Sequence, residues 1–149
     1  MKQLLFALTF IVLSITNIYS QKSISQKEQP LYNLIDQYAQ ARETKDTLLL
    51  NQILTKDIDQ LVSTGEWRRG LQIAKEGMLR SSSSNPGGRT LTVDQIRFLN
   101  NETALVDTRY EIANTDGTIR KMWSTFIAVY ENNRWKITGI RNMLPTGGS

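Results

Sequence analysis

The chain has 149 residues and a formal net charge of +4, with no histidine and no cysteine. Those absences exclude serine–histidine and cysteine–histidine catalysis, disulfide staples and a cysteine-linked lipid, and they leave no ordinary ligand set for zinc or copper. The 18 basic residues are scattered, with no block and no interleaved aromatic platform, so nucleic acid is not an expected partner.

The first residues read as an export signal over 1–20. Lys2 supplies the positive start, Leu4 to Ile15 is apolar, and Ser20 is a small residue at the cleavage point. The apolar run falls short of the roughly 20 residues that span a bilayer, although an uncleaved anchor is the competing reading. Cleavage would leave 149 minus 20, or 129, residues carrying 17 basic and 14 acidic side chains. The expected location is periplasmic or secreted, with no membrane contact once the signal is gone. About 130 residues suffice for one domain without staples.

Residues 21–29 are polar and read as a flexible lead-in, residues 30–145 as the domain and 146–149 as a tail. Pro30 suits a helix start, and Leu31, Leu34, Ile35, Tyr38 and Arg42 follow at helical spacing. Asp46 can cap a short second helix burying Leu49, Leu50, Ile53 and Leu54. Ile58 to Thr64 reads as a short strand and Leu71 to Arg80 as a third helix burying Leu71, Ala74 and Met78. Ser81 to Gly88 is a loop by composition.

The period then changes to two. Leu91 to Leu99, Ala104 to Ala113, Thr118 to Tyr130 and Arg134 to Leu144 read as four strands, separated by turns at Asn100-Asn101, Asp116-Gly117 and Asn132-Asn133. The expected fold class is α+β: three N-terminal helices on a strongly curved antiparallel sheet of four to five strands. The third long strand is apolar on both faces, with Met122, Phe126 and Tyr130 on one side and Trp123, Ile127 and Val129 on the other. Helices can cover one of those faces, so a second copy of the chain is expected on the other, making a homodimer.

The stretch STGEWRRG (Ser63 to Gly70) packs a carboxylate, an indole and two guanidiniums between a strand and a helix. Trp67 is expected to be largely buried there, with at least one of Glu66, Arg68 and Arg69 reaching a cavity mouth. Asp59 and Glu66 are the acid/base candidates by position, against the alternative that Glu66 forms a structural ion pair. Asp57 and Asp59 offer too few oxygens for a metal site, and no cofactor is expected. Arg109, Arg120, Arg141 and Asn142 on the late strands can recognise an anionic or carbonyl-bearing ligand, with Trp67, Trp123 and Trp135 as stacking surfaces. The alternative places the arginines on a solvated face, because bulges decide which parity points inward.

Four stretches carry a resemblance: DIDQLVSTGEWRRG (Asp57 to Gly70), RYEIANTDG (Arg109 to Gly117), RKMWSTF (Arg120 to Phe126) and WKITGIRNMLP (Trp135 to Pro145). With the order of elements, they are similar to the nuclear transport factor 2-like superfamily, and within it to the SnoaL-like, SgcJ/EcaC-type branch, a domain of unknown function. The resemblance implies a cystatin-like cone with a pocket between helices and sheet, and dimerisation through the outer sheet face. Ketosteroid isomerases of that superfamily use a first-helix tyrosine, matched by Tyr38, and a strand aspartate, whose place falls on Val62. Asp59, three residues earlier, points to the opposite strand face. The expectation is therefore a small-molecule-binding domain whose pocket involves Tyr38, Trp67 and Trp123 with Arg69, Arg109 or Arg141, with isomerase- or cyclase-like turnover as its enzymatic form. The alternative is a non-catalytic association module.

Overall fold

The computed structural model describes residues 24–146, and the expected export signal lies outside them. The elements run α1 (Gln29–Thr44), α2 (Thr47–Ile53), β1 (Leu54–Leu61), β2 (Trp67–Arg69), α3 (Leu71–Ser84), β3 (Arg89–Phe98), β4 (Thr103–Ala113), β5 (Ile119–Glu131) and β6 (Arg134–Met143). One six-stranded sheet has the order β2-β1-β6-β5-β4-β3 and is antiparallel except where β1 lies parallel to β6. The class is α+β, as the sequence implies, with a strand more than expected: Trp67–Arg69 pairs with β1 rather than serving as plain loop. Consequently only two helices precede the sheet; α3 enters after its first two strands.

Local chemistry sets the helix ends. Ser25 and Glu28 exchange backbone-to-side-chain hydrogen bonds of 3.2 and 3.3 Å just before α1, the reciprocal arrangement of a capping box. Asp46 caps α2 by accepting from the amides of Leu48 and Leu49, both at 2.9 Å. Helix α3 runs four residues past Arg80, through a serine run that composition alone assigns to a loop. Ser81 and Ser82 bond to arginines from other elements, and those tertiary contacts outweigh the poor helix propensity of serine.

The core lies between the helices and the inner face of the sheet. Leu31, Leu34, Ile35 and Tyr38 of α1 pack with Leu50, Ile58, Met78, Val106, Phe126, Ile137 and Ile140, all buried. Burying each large apolar side chain contributes about 1.5–3 kcal/mol. Tyr38 meets Phe126 edge-on at 5.1 Å. Irregularities at Val93/Gln95 and Ile127/Ala128 shift the register and bend the sheet around this core. On β4 and β5 the even-numbered residues face inward and the odd-numbered ones outward, as their burial alternates.

Candidate functional site: an arginine-lined cavity

Past Tyr38 the core gives way to a cavity of about 200 Å³. It is lined by Arg42 of α1, Gln60 of β1, Val62, Ser63, Thr64 and Glu66 of the connection that follows, and Arg68 of β2. Ser81 and Asn85 at the end of α3, Arg89 of β3, Tyr110 and Ile112 of β4, Arg120 and Met122 of β5, and Asn142 of β6 complete it. Four guanidiniums thus face one space with a single carboxylate.

Arg42 occupies the position after Tyr38 on the buried stripe of α1, one helical turn along, and is only 5 % exposed. Its Nη1 donates to the Tyr38 hydroxyl oxygen at 2.8 Å and its Nε to Ser82 Oγ at 3.2 Å. Burial pushes the Tyr38 phenol above its ordinary pKa, with Arg42 pulling the other way, so the phenol stays protonated near neutrality. No carboxylate bridges to Arg42 among the described residues. A buried charge without a counterion is costly.

Arg68 is neutralised internally. Its Nε and Nη2 donate to the two oxygens of Glu66 at 3.0 and 3.1 Å, with further contacts to Ser81 Oγ at 3.3 Å and Gln60 Oε1 at 3.5 Å. The hydrogen bond from Arg68 holds the Glu66 carboxyl below the usual carboxylate range. The guanidinium lies flat on α3 at Gly77, where a Cβ would stand 2.4 Å from Arg68 Nε. Glycine is needed at 77 for that close approach.

The sheet register sets the remaining two. Arg89 pairs with Ile112, and Ile112 pairs with Arg120, so two guanidiniums flank one isoleucine on the inner face. Arg89 caps the end of α3, donating to the carbonyls of Ser81, Asn85 and Gly87 at 3.3, 2.7 and 3.1 Å, which partly offsets its charge. Its Nε is buried with no partner among the described residues. Among the described residues the Arg120 side chain bonds only to Ser63 Oγ, at 2.8 Å.

Of the residues singled out from sequence, Glu66, Arg68 and Asn142 line this cavity and Tyr38 lies behind it, holding Arg42. The structure puts Asp59, Trp67, Arg69, Arg109, Trp123 and Arg141 on the outer face instead. Arg141 meets Asp59 at 2.9 Å, Arg69 and Arg141 each lie 4.8 Å from the Trp67 ring, and Arg109 lies over Trp123 and bridges to Asp94. Trp67 is 43 % exposed, which corrects the expectation that it is largely buried. In β2 it alternates with buried Arg68, so only one of the two can point inward, and the guanidinium does. Arg120, named among the late-strand arginines, does line the cavity, whereas sequence reading places Arg42 only on a helical stripe and does not single out Arg89. The available signal was parity: Arg42 on the buried helical stripe, Arg120 in step with Met122 and Phe126, and Arg89 in step with Leu91 and Val93. Val62 also lines the cavity. The described residues hold no cluster of three or more side chains suited to a metal ion.

No protein-family model and no curated protein matches the sequence. Solved structures do match in shape. A domain of unknown function with a cystatin-like fold from Nostoc punctiforme superposes with a TM-score of 0.73 at 15% identity, covering 84% of this chain and 81% of that one. A nuclear transport factor 2-like protein of unknown function from Shewanella oneidensis gives 0.63 at 18% identity, covering 77% and 97%. An uncharacterized protein with a cystatin-like fold from Caulobacter vibrioides gives 0.69 at 17% identity, covering 82% and 92%. With helices on one face of a curved six-stranded sheet and these structural relatives, the chain has the nuclear transport factor 2-like, or cystatin-like, fold.

Proposed function

We propose that this protein is a SnoaL-like binding domain for a small organic anion, held in the arginine-lined cavity. The observation that carries the reading is Arg42, buried at 5 % exposure and bonded only to hydroxyls while Arg89 and Arg120 converge on the same space. Guanidinium forks match carboxylates in shape and charge. At about 200 Å³ the cavity lies below the roughly 300–1,000 Å³ of drug-sized ligand pockets, which favours a small ligand. The lining has one carboxylate, Glu66, and it is ionised and clamped by Arg68, which favours binding over proton transfer as the role of the site. Titration calorimetry with acetate and benzoate tests the proposal. Saturable binding that Arg42→Gln removes supports it, and no heat from either acid in the wild type counts against it.

A second reading concerns assembly. The outer sheet face exposes Trp67, Trp123 and Met143 beside half-buried Leu61, Leu105, Ile127 and Val129. It also mixes Asp59, Asp107 and Glu111 with Arg69, Arg109 and Lys121, so two copies facing each other across a two-fold axis can pair unlike charges. We propose a homodimer through this face. A monomeric mass by light scattering at about 10 µM would refute it. Export is likewise proposed, and N-terminal analysis finding Gln21 first in the native protein is the expected result.

A further inference from the structure

The cavity has an internal order that narrows the ligand further. Across β3, β4 and β5 the inward-facing residues form rows. One row reads Arg89, Ile112, Arg120 and the next Leu91, Tyr110, Met122. Strands lie about 4.8 Å apart, so the two arginine backbones in the first row are about 10 Å apart with an isoleucine between them. The second row lies about 7 Å further along the strands and is aromatic and aliphatic. Arg42 enters the same cavity from α1, on the helix side. Arg42 from α1 and Arg89 and Arg120 from the sheet thus share one cavity with the apolar side chains of Val62, Tyr110, Ile112 and Met122.

The charge balance points the same way. Arg68 is cancelled by Glu66, and Arg89 is partly offset by the carbonyls at the end of α3. Arg42 and Arg120 remain, with side-chain hydrogen bonds to hydroxyls alone among the described residues, and they come from different layers, the helix α1 and the strand β5. A single compact anion would satisfy one of them and gain nothing from the apolar side chains.

Resting on the anion-binding reading above, we infer that the ligand is a dicarboxylate whose two carboxylates are separated by a short hydrocarbon or aromatic spacer. One carboxylate meets Arg42. The other meets Arg120, with the unpartnered Nε–H of Arg89 beside it, and the spacer lies on Tyr110 and Met122. Each end makes charge-assisted hydrogen bonds, so losing one end lowers affinity by about tenfold or more.

Calorimetry on the full chain tests this with matched pairs, glutarate against butyrate and adipate against valerate, alongside inorganic phosphate. The expected result is at least about tenfold tighter binding of one dicarboxylate over its monoacid, a preference that Arg120→Gln abolishes. Arg120→Lys, which keeps the charge and loses the fork, should weaken the preference and serves if the glutamine variant does not fold. Equal affinity within each pair would overturn the two-ended ligand and leave the anion reading standing. Tighter binding of phosphate than of any dicarboxylate would also overturn it, in favour of a compact anion. Failure of every anion to bind would overturn both.

Discussion

On the outer face of the sheet Arg141 is held by Asp59 at 2.9 Å and stacks on Trp67, while Arg109 is held by Asp94 and lies over Trp123. On the inner face Arg42 and Arg120 meet hydroxyls only, in a space that Arg68, Arg89 and one glutamate share. The same residue type is thus spent in opposite ways by two faces of one sheet. Outside, Arg141 and Arg109 each have a carboxylate and an indole, and Arg69 lies on Trp67. Inside, Arg68 has Glu66 and Arg89 has the carbonyls at the end of α3, whereas Arg42 and Arg120 have no carboxylate partner among the described residues, and the proposed anion site rests on that pair.

The largest difference between the faces should appear in packing. Phe126→Ala empties a site that is 1 % exposed and removes the partner of Tyr38, so chemical denaturation should report a loss of about 3–5 kcal/mol. Trp67→Ala on the outer face should cost well under half of that, because the ring is 43 % exposed; an equal loss would erase the distinction.

Next comes the support of Arg42. Tyr38→Phe deletes the hydroxyl that accepts from the buried guanidinium and should destabilise by about 1–3 kcal/mol, the cost of an unsatisfied buried donor. Removing the hydroxyl without loss would mean that Arg42 reaches another acceptor.

Two smaller effects sharpen the role of Glu66. Its folded pKa is depressed by Arg68, so its contribution is present above the ordinary glutamate pKa and is lost as pH falls through the lower folded value. Stability measured from pH 6 down to the acid range should show that loss in the wild type and not in Glu66→Gln. The same substitution removes the one negative charge from the lining and frees Arg68, so anion affinity should rise severalfold; a fall would mean that Glu66 helps to hold the ligand.

How much of this was legible beforehand differs between fold and site. The buried stripe of α1, the Asp46 cap and the four long strands follow from period and turn chemistry, which are local properties. The site depends on which parity of each strand turns inward, and that is decided by the bend of the sheet and by pairing between distant segments. Trp67 and Arg68 illustrate it. Hydrophobicity assigns the indole to the interior, but Gly77 of α3 leaves a flat place that the guanidinium fills, and the alternation of β2 then sends Trp67 outward. The serine run at 81–84 is a second case, because its helical form depends on Arg42 and Arg68 reaching Ser82 and Ser81 from elsewhere in the chain.

The most direct test of the contrast between the faces is the thermal stability of the wild type, Arg120→Gln and Arg141→Gln titrated with glutarate. Ligand at 100 times its Kd stabilises the folded state by about 2.7 kcal/mol. The wild type and Arg141→Gln should show the same saturable rise in Tm, with Arg141→Gln starting slightly lower for want of its Asp59 pair, while Arg120→Gln should start unchanged or higher and barely respond. An equal response in all three proteins, or a response lost in Arg141→Gln and kept in Arg120→Gln, would contradict the assignment of the inner arginines as the binding site.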